Sequence, residues 1–182
     1  MKKINTYIVE KLKLNRDSGI KNQYNYHPKS KNELHVLIGK LLKERGMNAD
    51  LNDVDVSKVT DISNLFYDME IENIDISEWD VSNVKKMESV FSGCYTFNCD
   101  LSNWDVSNVE DMYGMFEHCK VFNCDLSDWD VSNVKNMSYM FDKCYKFNSD
   151  LSKWNVSKVE TMKYMLSDCN SLKRTPNWYK DE

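Results

Sequence analysis

Apolar residues recur along residues 51–172 with a period of 25 residues. The same Trp, Val, Met, Phe and Cys positions return in each period, while the residues between them vary. A fixed period of this length indicates stacked repeats, because one short unit cannot bury its own apolar face. We therefore predict about five stacked repeats, with one tryptophan of each forming a ladder in the core. The ladder tryptophans are Trp79, Trp104, Trp129 and Trp154.

Two shorter hydrophobic patterns lie within each repeat. Residues 104–106 alternate apolar, acidic and apolar, which is typical of a short strand. In residues 109–119 the apolar side chains are spaced by three, four and three, which is one face of a short helix. Ser107 stands at the expected helix start, where its hydroxyl can accept from a free N–H group. Each repeat is therefore predicted to be a strand, a short helix and a turn.

The residues before the repeats have a different pattern. Residues 3–26 contain two segments rich in Ile, Tyr and Val around a turn, and this predicts a β-hairpin. Ser30 and Glu33 form a capping box before an apolar stripe, and Gly46 is a typical helix stop, so residues 31–45 are predicted to be a helix. We expect an N-terminal hairpin-plus-helix cap over residues 1–46, repeats over 47–175 and a tail over 176–182. The alternative for residues 1–46, which we call the head, is a separate interaction module.

The repeat motif F-N-x-D-[LI]-S-x-W-[DN]-V-S-x-V-x-x-M-x-x-M-F-x-x-C resembles the BspA-like leucine-rich-repeat family, in its 25-residue subgroup of mycoplasma-lipoprotein type and unknown function. The resemblance covers residues 51–172. It implies an α/β repeat fold, a short right-handed leucine-rich-repeat-like solenoid with a ββα cap. It also implies binding of proteins or surfaces, in relatives that are often surface-anchored or secreted.

One feature of ordinary leucine-rich repeats is missing from the motif. Val109 stands where those repeats place an asparagine. We expect asparagines in the turn of each repeat to satisfy part of the backbone instead. These are Asn98, Asn123 and Asn148.

Charge is distributed unevenly along the 182 residues, whose net charge is −5. Residues 1–46 contain eleven basic and four acidic residues, whereas residues 47–182 contain thirteen basic and twenty-five acidic residues.

No apolar run approaches the roughly 18 residues of a membrane span, and the start MKKINTYIVEKLKLN lacks the apolar stretch of a signal peptide. We therefore expect a cytoplasmic protein.

Reactive residues form no catalytic motif in this chain. The six cysteines follow the repeat frame, which favours small buried core residues; the alternatives are disulfides between neighbouring repeats and a metal or catalytic site. His27, His35 and His118 stand in unrelated contexts, and no glycine-rich phosphate loop is present. We expect no enzyme activity, no cofactor and no metal. The cysteines are Cys94, Cys99, Cys119, Cys124, Cys144 and Cys169.

Acidic residues recur beside the core positions of the predicted strands, and we call this set the acidic face. Like charges one repeat apart repel each other by roughly 1 kcal/mol per pair in water, so such a ladder needs an explanation. Three are open: local hydrogen bonding to the following backbone, recognition of a basic partner, and calcium binding between repeats. The acidic face comprises Asp55, Glu78, Asp80, Asp105, Asp128 and Asp130.

The turn of each repeat also carries an aspartate, which we predict to form the turn. We call this set the turn aspartates. They are Asp75, Asp100, Asp125 and Asp150.

These features favour a non-enzymatic protein–protein interaction module that binds a basic protein surface through the acidic face. One alternative is an intracellular inhibitor or nucleic-acid mimic of phage or mobile-element type that occupies a basic groove. Another is a bacterial surface adhesin, if a leader precedes the given sequence. We do not expect nucleic acid as the partner, and the sequence leaves the oligomeric state open.

Overall fold

The computed structural model describes residues 24–180. The predicted hairpin lies almost wholly outside these residues. Of its last part, Tyr26 forms a parallel bridge with Val54 in the first repeat. This contact connects the head of the chain directly to the stacked repeats.

The predicted helix is confirmed, and we call it α1, Lys31–Arg45. Ser30 accepts a hydrogen bond from the Glu33 N–H at 3.3 Å, and the Glu33 carboxylate accepts one from the Lys29 N–H at 2.8 Å. At the other end, the Gly46 N–H donates to the Leu42 carbonyl at 2.9 Å. The ends of α1 are therefore fixed by local chemistry that the sequence already shows.

Helix α1 lies against the first repeat. Its apolar stripe belongs to the same core as the repeats, and its buried members are Leu34, Ile38, Leu41 and Leu42. On its polar side, the Lys31 ammonium pairs with Asp61 at 3.1 Å and the Arg45 guanidinium pairs with Asp53 at 2.8 Å. None of the described residues forms a helix with the length and apolar character needed to cross a bilayer.

The strand-plus-helix repeat predicted from the sequence is wrong, and with it the leucine-rich-repeat-like solenoid. Within residues 24–180, α1 is the one helix, and β-pairing is limited to isolated bridges that build no sheet. One series of bridges joins residues one repeat apart. It consists of Asp61–Lys86, Lys86–Asp111, Asp111–Asn136 and Asn136–Thr161.

Each repeat is instead a chain of tight turns closed by hydrogen bonds between residues three apart. In the predicted strand, the Trp104 N–H donates to the Leu101 carbonyl at 3.1 Å. In the predicted helix, the Met115 N–H donates to the Met112 carbonyl at 3.2 Å. Such turns bury apolar side chains that are three and four residues apart, as one face of a helix would.

Alternate N–H groups from Met112 to His118 bond to the next repeat. The N–H groups of Met112, Gly114, Phe116 and His118 donate to carbonyls 24 residues later at 2.8–2.9 Å. Gly114 and His118 have φ angles of 54° and 63°, and these left-handed residues allow alternate N–H groups to point towards the neighbouring repeat. An α-helix would direct all of these donors along its own axis, so bonding between repeats replaces the helix.

Aromatic rings stack in register between repeats. Phe91 and Phe116 have ring centroids 5.5 Å apart with planes 7° apart, and Phe116 and Phe141 repeat this geometry. A second phenylalanine column packs against the first at about 4.1–4.2 Å, and it consists of Phe97, Phe122 and Phe147. These columns fill the centre of the stack, and all six rings are fully buried.

The ladder tryptophans occupy equivalent buried places at one edge of this core. Each indole N–H donates to a carbonyl 28 residues earlier at 2.9–3.1 Å. Trp178, in the predicted tail, stacks on Trp154 with planes 6° apart and donates to the Leu151 carbonyl at 3.0 Å. The tryptophan series therefore continues one member beyond the sequence prediction, which missed Trp178 because its spacing is one residue short.

The predicted role of the turn asparagines is confirmed. The Asn98 side-chain oxygen accepts from the Asn123 N–H, and Asn123 accepts from the Asn148 N–H, both at 2.8 Å. A second asparagine series, not predicted, bonds to the preceding repeat. Its side-chain amides donate to serine carbonyls 26 residues earlier at 2.7–2.9 Å, and it comprises Asn83, Asn108 and Asn133.

Candidate binding surface

The acidic face occupies equivalent positions of successive repeats. Asp80, Asp105 and Asp130 are one repeat apart and exposed, and Asp128 is also exposed. Each follows or precedes a buried tryptophan in the turn that carries the ladder. The core therefore fixes the spacing of the carboxylates along the stack, because the tryptophans next to them in sequence are packed in it.

Local hydrogen bonds hold the carboxylates in place. Oδ1 of Asp105 and Oδ1 of Asp130 each accept from the N–H of the serine two residues later at 3.0 Å. Oδ1 of Asp80 accepts from both the N–H and the hydroxyl of Ser82, at 3.1 and 2.6 Å. The expected local bonding is thus present, but it closes a turn and not a helix end.

At two members of the face, hydrogen bonds favour the ionised carboxylate. The Ser132 hydroxyl and N–H hold the pKa of Asp130 below its ordinary value. At Asp55 burial raises the pKa, but hydrogen bonds from Ser57 and His27 outweigh it and the net pKa is lowered. The acidic face therefore contains carboxylates that the fold keeps charged.

Four carboxylates of the face make no close ion pair with the described residues, although the more distant charge of Lys158 contributes to lowering the pKa of Asp130. Asp80, Asp105, Asp128 and Asp130 form no ion pair within 4.0 Å inside residues 24–180. Asp55, at the end nearest α1, lies 3.1 Å from His27 Nδ1. The first member of the face is therefore bonded to a histidine, whereas these four carboxylates have no close ion pair.

A neighbouring column shows the opposite arrangement. Lys85, Glu110, Lys135 and Glu160 stand one repeat apart with alternating charge, and Lys135 Nζ lies 2.6 Å from Glu110 Oε2. The first three members of this column line a shallow polar groove with Asn108, Asn133 and Lys158. Charges at one repeat position can thus alternate in sign from repeat to repeat. The acidic face differs from this column because its charges all have the same sign.

The predicted role of the turn aspartates is confirmed. In each, Oδ1 accepts from the N–H of the serine two residues later at 3.0–3.1 Å. The backbone N–H of that serine lowers the pKa of Asp100, Asp125 and Asp150. The turn aspartates thus add further fixed negative charge to each repeat.

The cysteines are free thiols in the core. Cys94, Cys119 and Cys144 donate from Sγ to phenylalanine carbonyls 28 residues earlier at 2.9–3.0 Å. Burial raises the pKa of Cys94 to about 12 and that of Cys119 well above its ordinary value. A nucleophilic cysteine needs a lowered pKa, so these thiols serve packing.

Two half-buried tyrosines and one exposed tyrosine form a smaller surface feature that the sequence did not group. The rings of Tyr113 and Tyr139 lie 5.6 Å apart, and those of Tyr139 and Tyr164 lie 5.2 Å apart. Tyr164 is 48% exposed. These rings come together because adjacent repeats stack, although they do not all share one repeat position.

Comparison with known proteins gives one family. No curated protein and no solved structure matches the chain. A family described as "Mycoplasma protein of unknown function, DUF285" matches residues 38–132 and, in a second match, residues 103–180. The two matches together span most of the chain, including all of the stacked repeats. The chain therefore belongs to this Mycoplasma family of unknown function.

Proposed function

We propose that this protein is a non-enzymatic interaction module that binds a partner protein with a basic surface through the acidic face. One observation carries the proposal: the exposed carboxylates of Asp80, Asp105 and Asp130 occupy the same place in successive repeats, are held by the fold and form no ion pair within 4.0 Å among the described residues. Opposite charge on a partner would remove their mutual repulsion, so binding relieves a cost that the free protein carries.

Preorganisation supports the same proposal. Each carboxylate uses Oδ1 in its own turn, so a partner would find the group already oriented and would not have to order it. The buried tryptophans beneath the face fix the backbone. A rigid row of charges is suited to an extended basic surface, and it increases the association rate through electrostatic attraction.

We also propose that the chain is related to the BspA-like proteins. The support is the repeat motif of residues 51–172. Protein binding is a use of repeat surfaces in general, because stacked repeats leave only their outer positions free to vary.

The experiment compares two triple variants as affinity baits in a lysate, with bound proteins quantified by mass spectrometry. Asp80→Asn, Asp105→Asn and Asp130→Asn together remove three charges from the acidic face while keeping the turn acceptors. The control Glu70→Gln, Glu72→Gln and Glu88→Gln removes three exposed charges elsewhere. We expect the face variant to lose basic proteins that the control retains.

A purified partner then allows a direct measurement. We expect the face variant to weaken binding at least tenfold at low salt, and the difference to shrink as salt screens the charges. Equal loss in both triple variants would indicate a non-specific charge effect. Unchanged affinity of the face variant would remove the acidic face as the binding site.

A further inference from the structure

A mixed cluster of side chains lies outside the acidic face, where two adjacent repeats meet. It consists of Glu117, His118 and Asp142, whose potential ligand atoms all lie within 4.8 Å of one another. The His118 N–H donates to the Asp142 carbonyl at 2.8 Å, so the backbone fixes the two residues side by side. His118 Nε2 lies 3.9 Å from Glu117 Oε1.

The carboxylate of Asp142 is poorly satisfied for its degree of burial. Its side chain is 8% exposed, and the one ion-pair partner of its carboxylate within residues 24–180 is a lysine. Its nearest cation is the Lys143 ammonium at 3.5 Å. Buried carboxylates normally accept several hydrogen bonds, so this group has unused capacity to bind a cation.

The stacking of repeats does not require this cluster. Glu117 and Asp142 occupy the same repeat position, where other repeats have Tyr67, Ser92 and Ser167. Their carboxylates are therefore neighbours of like charge across one junction, and no other junction in the repeats has acids at both of these places. Two acids beside a histidine thus occur at this junction and are not part of the general repeat pattern. The repulsion between the two carboxylates is stronger where solvent is excluded.

We propose that Glu117, His118 and Asp142 bind a divalent transition-metal ion, with Zn²⁺ as the best match. One imidazole nitrogen and two carboxylate oxygens are ordinary zinc ligands, whereas Ca²⁺ and Mg²⁺ take oxygen ligands alone. Three protein ligands leave the fourth tetrahedral position to water.

Small movements are needed to close the site. Zinc ligands lie about 2.0–2.2 Å from the metal, so the three ligand atoms have to approach one another by about 1 Å. The Glu117 side chain is 26% exposed. Its Oε2 accepts from Ser92 Oγ at 3.3 Å, which leaves Oε1, on the side of His118, for the metal. Lys143 is 37% exposed and can turn away from Asp142 into solvent.

The test uses the ring signals of the histidines in nitrogen-15 NMR spectra of the full chain during titration with ZnCl₂. The chain has only three histidines, so His27 and His35 serve as internal controls. Within residues 24–180, His27 pairs with one carboxylate, that of Asp55. We expect the His118 ring signals to shift at substoichiometric Zn²⁺ while those of the two controls stay in place. This readout also separates the site from zinc binding by cysteines.

Three variants decide the ligand assignment. Asp142→Asn and Glu117→Gln should each lower the affinity for Zn²⁺ at least tenfold, while Lys143→Ala should raise it by removing a competing cation. If Asp142→Asn does not fold, the partly exposed positions Glu117 and Lys143 still give the answer. The proposal is overturned if His118 does not respond to a tenfold excess of Zn²⁺, or if Glu117→Gln and Lys143→Ala bind as the unmodified protein does.

Discussion

The indole N–H of Trp104 donates a 3.1 Å hydrogen bond to the carbonyl of Ile76, 28 residues earlier in the chain. The indole also stacks on Trp79, with centroids 6.4 Å apart and planes 6° apart. Both contacts cross the junction between two repeats. A single side chain thus contributes packing and a buried hydrogen bond to the same interface.

Replacing Trp104 should separate these two contributions. Trp104→Ala removes both and should lower the free energy of unfolding by about 3–5 kcal/mol. Trp104→Phe keeps much of the packing but leaves the Ile76 carbonyl without its donor, and should cost about 1–3 kcal/mol. Urea unfolding followed by circular dichroism measures both. Equal losses for the two variants would show that the hydrogen bond contributes nothing measurable.

Trp178 offers a control for the same measurement. It makes the equivalent stacking and hydrogen bond at the end of the stack but is only partly buried. We expect Trp178→Phe to cost less than Trp104→Phe, because solvent can replace the lost donor.

The turn acceptor at Asp105 should depend on its oxygen and not on its charge. Asn155 occupies the same repeat position and accepts from the Ser157 N–H at 3.2 Å. Asp105→Asn should therefore change stability by less than about 0.5 kcal/mol, whereas Asp105→Ala should cost about 1 kcal/mol by leaving the Ser107 N–H without its acceptor. Thermal unfolding of the two variants tests this. A larger loss in the Asn variant would mean that charge stabilises the turn.

Two glycines should respond to alanine in opposite directions. Gly93 has a φ of 78°, and a Cβ there would lie 2.9 Å from Asp68 Oδ1, so Gly93→Ala should destabilise the protein by about 1–2 kcal/mol or more. Gly39 lies in α1 with nothing within 4 Å of its added Cβ, and Gly39→Ala should stabilise by about 0.5–1 kcal/mol. Denaturant midpoints compare the pair. A stabilising Gly93→Ala would contradict the left-handed backbone at this position.

Stability should fall in acid because of the turn aspartates. Backbone N–H groups lower the pKa of Asp100, Asp125 and Asp150 in the folded protein, whereas in the unfolded chain an aspartate has a pKa of about 3.9. Their contribution is therefore complete above the unfolded pKa and is lost as pH falls through the lower folded values.

Urea unfolding between pH 6 and pH 2 tests this acid dependence. The variant Asp100→Asn, Asp125→Asn and Asp150→Asn keeps the acceptors but cannot titrate there. Its stability should vary less with pH than that of the unmodified protein. Parallel curves for the two proteins would exclude these carboxyl groups as the source.

The cysteines should be nearly inert in the folded protein. Burial raises the pKa of Cys94 and Cys169 to about 12, so little thiolate is present at pH 8 and the sulfurs are shielded. Reaction with Ellman's reagent should be slow in buffer, and all six thiols should react quickly in guanidinium. Fast native reaction of more than the partly exposed Cys99 and Cys169 would contradict the packed core.

Helix α1 shows what local sequence can specify. Ser30, Glu33 and Gly46 fix its ends through bonds to nearby backbone, and its apolar stripe marks the buried side. The acidic face was likewise readable as a series of positions. The Glu117, His118 and Asp142 cluster was not, because His118 belongs to no motif and meets Asp142 only through stacking of the next repeat.

The sequence by itself determined the 25-residue period, the residues that stack in the core, helix α1 and the charge of the exposed positions. Only the tertiary structure decided that the repeat is a chain of tight turns and not a strand and a helix. The apolar spacing of residues 109–119 fits either conformation. The choice depends on where the N–H groups of residues such as Met112 and Phe116 find acceptors, and those carbonyls lie 24 residues away in the next repeat.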